Sequence, residues 1–270
     1  MGEQTASITI NESVPPKDAE DSAANRAVFT SIYRDRKWSN GEEGVPLSGP
    51  GSNPIAAAPY VTFVKQVIER FGITSVVDCG HGDWMMWRDY KFDDVDYTGF
   101  DVAEELSARL QKIHGNENRR FIQADASVAD LPPGDLLISK DVLQHLPNQS
   151  VLRILQQCGQ FKFLLLCNDE GDTRSMAKRI LAVLQIRTRL RAVARGKWPL
   201  YYTKFPRLVP DISAGQCRGV DLERKPFSSA VAGLDLVHTF RYTSKAEGIP
   251  TGTKRVYLFA APHLGAKWDH

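Results

Sequence analysis

The chain has 270 residues, of which 42% are hydrophobic and 24% charged, and its 34 basic and 32 acidic side chains give a formal net charge of +2. These values are ordinary for one globular domain and exclude a fibrous or wholly disordered chain. No apolar run reaches the roughly 18 residues that span a bilayer, and the N-terminus lacks the basic start and apolar run of a signal peptide. The four cysteines have neither metal nor disulfide spacing, so we expect reduced thiols in a cytoplasmic protein.

Residues 1–24 are acidic, polar and poor in aromatic side chains, which predicts a disordered tail before a single domain at 25–270. A helix is predicted near 23–33. A loop rich in Gly, Ser and Pro then extends to about Asn53, and a second helix is predicted at 54–71.

From residue 74 onward, predicted strands and helices alternate. The strands lie near 74–79, 96–101, 119–124, 135–139 and 161–167, and the helices near 84–90, 103–114, 148–158 and 174–195. Two more strands, at 234–242 and 254–261, are joined by a turn-rich segment. This alternation predicts an α/β fold with a doubly wound parallel sheet covered on both faces.

The most informative motif follows the first of these strands, where Asp78-Cys79-Gly80-His81-Gly82 forms an Asp-x-Gly-x-Gly turn. Glycines at alternate positions tolerate positive φ and let a ligand approach the backbone, although ordinary strand-to-helix turns share the pattern. The next strand ends in Asp101, where a doubly wound sheet places the acid that binds a ribose. Together the turn and the acid predict a nucleoside-binding edge.

The same turn is unsuited to a dinucleotide. Met85 stands where Gly-x-Gly-x-x-Gly requires its third glycine, and the Asp83 carboxylate would repel a pyrophosphate. A ligand with a cationic centre and no phosphate fits better, and S-adenosylmethionine is such a ligand. The turn resembles motif I of class I methyltransferases. In the same way, 121–126 resembles the strand whose final acid holds the adenine, and 135–147 resembles motif IV.

The likeness extends to a narrower, largely uncharacterised group of methyltransferases and spans about residues 27–260. The segments that carry it are Ile32-Tyr33, Trp38, Ser48-Gly49-Pro50-Gly51-Ser52, Trp84-Met85, Asp211-Ile212-Ser213-Ala214-Gly215, Val220-Asp221-Leu222 and Pro226-Phe227. His81 and Val209 depart from the group's pattern, with Val209 in the place of an Asn. The resemblance implies a Rossmann-like, seven-stranded methyltransferase sheet, mostly parallel, with a C-terminal antiparallel hairpin.

The resemblance also implies a set of donor-binding residues. It assigns the methionine end of S-adenosylmethionine to Asp78, Gly80 and Gly82. It assigns the ribose hydroxyls to Asp101, and the adenine to Asp125 with Ala126. The predicted set is completed by Trp38, Ser52, Val102 and Lys140. Two alternatives stay open: Asp101 and Asp125 could simply cap strand ends, and a Ser-Gly-Pro-Gly-Ser loop is also typical of a linker.

Methyl transfer to a hydroxyl requires that its proton be removed as the new bond forms. Asp141 and His145 are the predicted catalytic residues, because at this spacing they share one face of a helix and the acid can orient the imidazole. Asp141 could instead cap that helix. Asp169 and Glu170 form a further acidic pair, suited to an acceptor or a divalent metal or else to a solvated loop. No metal ligands are assigned.

Residues 173–210 contain ten Lys or Arg residues and no acid, so this basic insertion contrasts with an acidic remainder. Apolar residues at helical spacing in the same segment predict an amphipathic helix. It could be a solvated helix docked by its apolar face or a lid that attracts an anionic acceptor, such as a phosphorylated or nucleotide-linked glycan. A surface for nucleic acid or a membrane is a third interpretation.

We predict an S-adenosylmethionine-dependent enzyme that methylates an oxygen of a sugar, glycan or other hydroxylated small molecule. One alternative is N-methylation of a small amine, which requires no base at Asp141 or His145. Another is an inactive donor-binding scaffold whose basic insertion recruits a partner or nucleic acid. Neither integral membrane association nor nucleic acid is the expected partner, and the sequence leaves the oligomeric state open.

Overall fold

A computed structural model of the chain describes residues 16–90, 92–170, 209–246 and 249–268. The α-helices of these ranges are α1 (Pro16–Arg34), α2 (Pro54–Phe71), α3 (Glu104–His114) and α4 (Asn148–Gln156). The strands are β1 (Ser75–Cys79), β2 (Asp96–Asp101), β3 (Arg119–Gln123), β4 (Gly134–Lys140), β5 (Phe161–Asp169), β6 (Asp235–Ala246) and β7 (Ile249–Ala260). Most of the basic insertion, residues 173–208, lies outside the described residues.

The seven described strands form one sheet in the order β3-β2-β1-β4-β5-β7-β6. Strands β1 to β5 are parallel, and β7 runs antiparallel to both β5 and β6. The chain therefore winds outward in one direction from β1 and in the other from β4. In such a sheet the carboxyl ends of the two central strands diverge and leave a crevice, which is where ligands bind.

The two faces of the sheet bury different residues because side chains alternate along each strand. Val76 of β1 and Leu136 of β4 pack in a core cluster with α2 and α3, whereas Val77 and Leu137 pack in a second cluster with α1 and α4. Strands covered on both faces are apolar almost throughout, which explains the uninterrupted apolar run of β5.

Three features of the structure correct the sequence-based expectations. Helix α1 begins at Pro16, so residues 16–24 are helical rather than part of a disordered tail. The helix predicted at 84–90 is only a 3-10 turn, Met85–Trp87, because Trp84 before it has a left-handed backbone with φ of 62°. The C-terminal strands are longer than predicted.

No helix in the described ranges is long and apolar enough to cross a membrane.

Candidate functional site

A cavity opens at the carboxyl ends of β1, β2 and β4, on the face of the sheet that α1 and α4 cover. All but one of the twelve predicted site residues line it. These are Trp38, Ser52, Gly80, Gly82, Asp101, Val102, Asp125, Ala126, Lys140, Asp141 and His145. The fold thus gathers residues from the leader, from the motif I turn and from the ends of three further strands.

Asp78 is the exception, and its placement corrects the expectation that it contacts the methionine end of a donor. Its side chain follows Val76 on the α2 face of the sheet, and the cavity is on the other face. The carboxylate is buried and accepts a hydrogen bond of 2.8 Å from the Tyr97 hydroxyl. Burial raises the pKa of Asp78 to about 7, although the Tyr97 hydrogen bond opposes that rise.

The motif I turn requires both of its glycines. Gly80 has φ of 85°, and a Cβ there would overlap Val142 Cγ2. Gly82 has φ of 58°, and a Cβ there would lie 3.0 Å from Ser48 Oγ. The Gly82 N–H donates to Asp101 Oδ2 at 3.1 Å, which ties the turn to the end of β2. Glycine is therefore needed at both positions for two reasons: the backbone has positive φ, and neighbouring segments pack too closely for a Cβ.

The two acids at the ends of β2 and β3 are oriented by backbone donors. Asp101 Oδ1 accepts from the Ala103 N–H at 3.0 Å, and Asp125 Oδ1 accepts from the Ser127 N–H at 2.9 Å. Both residues also line the cavity. Strand-end capping and ligand binding, the two interpretations that the sequence left open, are thus compatible at both positions.

Helix α1 forms one wall of the cavity through Asn25, Phe29 and Tyr33, which sequence reasoning missed. Asn25 Nδ2 donates to Asp125 Oδ2 at 3.0 Å, and the Tyr33 hydroxyl lies 3.5 Å from Asp101 Oδ2. The signal in the sequence is their spacing of four residues, which places all three on one helix face. Further lining residues that the prediction omitted are Ser48, His81, Met86, Phe100, Ala124, Val142, Leu146 and Ile154.

The loop at 47–52, here named the leader loop, is anchored to the motif I turn and to β4. Asp83 accepts from the Leu47 N–H, and its other oxygen accepts from Ser48 Oγ at 2.6 Å. Lys140 Nζ donates to the Gly51 carbonyl at 2.9 Å. Asp83, whose carboxylate would repel a pyrophosphate in this turn, therefore also anchors the leader loop at the cavity.

A buried ion network lies beside the cavity. The Asp141 carboxylate pairs with Lys140 Nζ and, at 2.7 Å, with Lys254 Nζ, which also lies 3.0 Å from Asp169 Oδ1. Burial alone would raise the pKa of Asp141, but the two ammonium groups outweigh it and hold that pKa well below its ordinary value. A carboxylate stabilised in this way is a poor proton acceptor.

The predicted helix that pairs Asp141 with His145 does not form. Asp141 has φ of 61°, and only Leu143–His145 is helical, as a 3-10 turn. Both oxygens of Asp141 bind lysines rather than the imidazole. The expected Asp141–His145 pair is therefore wrong, although both side chains line the same cavity.

His145 is held by other partners. Its Nδ1 lies 2.9 Å from the Gln216 carbonyl oxygen, and its ring packs against Trp38 with centroids 4.9 Å apart. Because a carbonyl only accepts, Nδ1 must carry the proton and Nε2 a lone pair. The Gln144 amide approaches Nε2 at 3.3 Å. Burial lowers the pKa of His145 to about 4, against the Gln216 hydrogen bond and Asp141, so the ring is neutral at neutral pH.

The acidic pair that ends β5 is engaged in ion pairs. Asp169 belongs to the buried network, and Glu170 pairs with Arg241 at 2.7 Å. The alternative of a solvated loop is therefore excluded for both. In the described part of the chain, no group of three or more His, Cys, Asp or Glu side chains is arranged to hold a metal ion.

No protein-family model matches the sequence, and no curated protein matches it. The magnesium protoporphyrin IX methyltransferase of Synechocystis PCC 6803, crystallised with bound SAH, superposes with a TM-score of 0.56 at 16% identity over 89% of this chain and 99% of that one. The 1,6-didemethyltoxoflavin-N1-methyltransferase of Burkholderia thailandensis superposes with a TM-score of 0.55 at 16% identity, over 92% of this chain and 91% of that one.

The N-methyltransferase NodS of Bradyrhizobium japonicum WM9, in complex with S-adenosyl-L-homocysteine, superposes with a TM-score of 0.53 at 10% identity, over 88% of this chain and 99% of that one. At these identities the likeness establishes the fold alone. The predicted Rossmann-like, seven-stranded methyltransferase sheet, mostly parallel and closed by an antiparallel pair, is confirmed.

Proposed function

We propose that the chain is an S-adenosylmethionine-dependent methyltransferase and that this cavity and its mouth hold both donor and acceptor. One observation carries the proposal: all but one of the donor-binding residues that the sequence predicts converge on one cavity at the switch point of the sheet. The three solved structures described above, each bound to S-adenosylhomocysteine, support it through their shared fold.

The residues present fit such a donor. The bare backbone of Gly80 and Gly82 leaves room that a Cβ would fill. Asp101 and Asp125 offer carboxylate oxygens to hydroxyl and amino groups, and the phenyl rings of Phe29 and Phe100 line the same cavity for an adenine. When bound, S-adenosylmethionine supplies an electrophilic methyl group on a sulfonium cation. Asp101 and Asp125 are therefore the proposed ribose and adenine ligands.

The proposed acceptor is a hydroxyl of a small molecule, with sugars and glycans as the class to be tried first. As the acceptor oxygen gains the methyl group it loses its proton, and His145 Nε2 is the proposed base. Two properties support this role: His145 lines the cavity, and its Nδ1 is occupied by a carbonyl, which leaves the lone pair on Nε2. The acceptor hydroxyl would replace the Gln144 amide as the partner of that lone pair.

Asp141 receives a different role from the one expected. Its carboxylate neutralises two buried ammonium groups, Lys140 and Lys254, and so stabilises the wall of the cavity. Lys140 in turn holds the leader loop through Gly51. We therefore assign proton removal to His145 and structural support to Asp141.

Calorimetric titration with S-adenosylmethionine and S-adenosylhomocysteine tests the donor site. We expect wild type to bind both ligands and Asp101→Ala to bind them at least about tenfold more weakly, since a charged hydrogen-bond acceptor is lost. Asp96→Ala is the matched control, because Asp96 begins the same strand and pairs with Arg120 near the surface. Absence of binding by folded wild type would contradict the proposal.

A methylation screen then tests the acceptor. Wild type and His145→Gln are incubated with radiolabelled S-adenosylmethionine and a panel of sugars, glycans, phenols and small amines. O-methylation that falls about 10²- to 10⁴-fold in His145→Gln, with donor binding intact, supports a base at this position. Methylation of an amine that survives the substitution would instead establish N-transfer.

A further inference from the structure

Residues 209–222, here named the strap, lie across the carboxyl end of β5 and against the turn that carries His145. The Gly215 N–H donates to the His145 carbonyl at 2.9 Å, and the Arg218 N–H donates to the Gln144 carbonyl at 3.0 Å. The Val220 N–H donates to the Asp169 carbonyl at 2.8 Å. The strap is thus hydrogen-bonded through its backbone to the turn on both sides of Gln216.

Arg218 fastens the strap with its side chain. It is 2% exposed, and its guanidinium donates to the Leu146 carbonyl at 2.6 Å and to Asn148 Oδ1 at 2.9 Å. The guanidinium also lies 5.6 Å from the Phe227 ring centroid. A planar cation that bridges two acceptors across the turn restricts both their spacing and their orientation.

A second fastening precedes Gln216. Asp211 Oδ1 accepts from the Asn148 N–H at 2.7 Å, at the start of α4. Gly215 has φ of 78°, and a Cβ there would come within 2.7 Å of Val28 Cγ1 on α1. The strap therefore fits between α1 and the His145 turn only because this residue lacks a side chain.

We propose that the strap sets the tautomer of His145 through the Gln216 carbonyl, and that Arg218 is the positioning residue that keeps this carbonyl in place. In water a neutral imidazole exchanges its proton between the two nitrogens. A fixed carbonyl at Nδ1 ends that exchange and leaves the lone pair on Nε2. The inference rests on the proposed function, because this lone pair is what a base at His145 requires.

The surroundings of His145 determine how a displaced strap would show itself. The charged groups that act on the ring are Asp141, Lys254 and Arg218, and Trp38 packs against it. Burial is the main cause of its low pKa. If the strap moves away, Nδ1 loses its acceptor and either nitrogen can carry the proton, so the tautomer is the direct readout. The pKa is not, because added water raises it whereas loss of the Gln216 hydrogen bond lowers it.

Nitrogen-15 NMR of the full chain labelled at histidine tests the proposal directly. The His145 signals are identified by their loss in His145→Gln. We expect wild type to show a protonated Nδ1 and an unprotonated Nε2, and Arg218→Met to show both tautomers. Arg224→Met is the matched control, since Arg224 lies just beyond the strap, pairs with Asp221 at its C-terminal end, away from Gln216, and should change neither signal.

A protonated Nε2 in wild type would overturn the proposal, and so would a folded Arg218→Met with an unchanged tautomer. If Arg218→Met does not fold, Gly215→Ala displaces the strap by a different route. Gly233→Ala is its control, because a Cβ at Gly233 meets nothing within 4 Å. Titration with S-adenosylhomocysteine separates the two hypotheses: a correct tautomer without ligand binding refutes only the proposed function, and ligand binding with the wrong tautomer refutes only the strap.

Discussion

At the scale of single residues, two neighbours in the motif I strand and turn have unrelated tasks. Gly80 faces the cavity and lets Val142 approach the backbone, whereas Asp78 is buried on the opposite face with Tyr97. In a strand, alternate side chains belong to different faces. The sequence motif alone does not show on which face of the sheet each of its residues lies.

Gly80→Ala should both destabilise the protein and impair donor binding, because the added Cβ overlaps Val142 Cγ2 at φ of 85°. Gly44→Ala is a matched control, since Gly44 has φ of 81° but open space around it. We expect Gly80→Ala to lose about 1–3 kcal/mol more than the control in urea unfolding. Addition of Val142→Ala should restore most of that difference, and a lack of rescue would contradict the steric explanation.

Asp78 predicts a pH dependence of stability. Its pKa is about 7 in the folded chain and near 3.9 when unfolded, so between these values the folded state binds more protons. Its contribution is thus fully present below about pH 4 and is lost as the pH rises to 7. Asp78→Asn should abolish this loss and gain a few kcal/mol over wild type between pH 4 and 8, measured by urea unfolding. Asp94→Asn, a substitution of the same kind at an exposed position, is the comparison.

At the scale of elements, the leader loop and α1 enclose a pocket that the sheet edge alone would leave open. Asp83 is the contact that joins the loop to the motif I turn. Loops that carry few apolar contacts depend on such polar anchors for their order. The loop should therefore respond to loss of this one carboxylate.

Asp83→Ala should accelerate amide hydrogen exchange at Leu47 and Ser48 at least tenfold, because both N–H groups donate to Asp83 Oδ2. Exchange in β4 should be unaffected. Asp89→Ala is the comparison, since Asp89 is exposed and its ion pair is with the adjacent Arg88. Unchanged protection of the leader loop in Asp83→Ala would show that other contacts hold it.

At the scale of the whole molecule, the ion network joins the C-terminal strand pair to the site. Lys254 of β7 reaches Asp141, 113 residues earlier in the chain, and Asp169 at the end of β5. A buried pair contributes little relative to apolar residues, but removal of one partner leaves an uncompensated charge. The antiparallel strands are therefore coupled to the cavity through electrostatics as well as through the sheet.

Lys254→Met should destabilise the chain by about 3–5 kcal/mol in urea unfolding. Lys245→Met, on the paired strand β6 and exposed, should change it by less than about 0.5 kcal/mol. The double variant Lys254→Met with Asp169→Asn should recover part of the loss, because the carboxylate left uncompensated is then gone, while Asp141 keeps its pair with Lys140. Equal losses in the single and double variants would contradict the assigned coupling.

Most strands, the glycine turn and the acid at Asp101 could be predicted because their signals are local. Alternating apolar residues, a Gly-x-Gly spacing and a carboxylate at a strand end act within a few residues of one another. The turn at 143–145 could not be predicted, since the left-handed Asp141 before it pairs not only with its neighbour Lys140 but also with Lys254, 113 residues later in the chain. Local propensity there favours the helix that tertiary contacts replace.

The sequence by itself determined the order of strands and helices, the sheet they form and the edge of that sheet at which the proposed site lies. Only the tertiary structure decided that α1 forms one wall of the cavity and that Asp141 pairs with lysines rather than with His145. It also decided that Arg218 binds the carbonyl of Leu146, 72 residues away in the chain. The physical reason is the sequence separation of the interacting residues. Backbone preferences and side-chain periodicity depend on residues that are close in the chain. Buried ion pairs and hydrogen bonds instead depend on which distant groups the finished fold brings within about 3 Å.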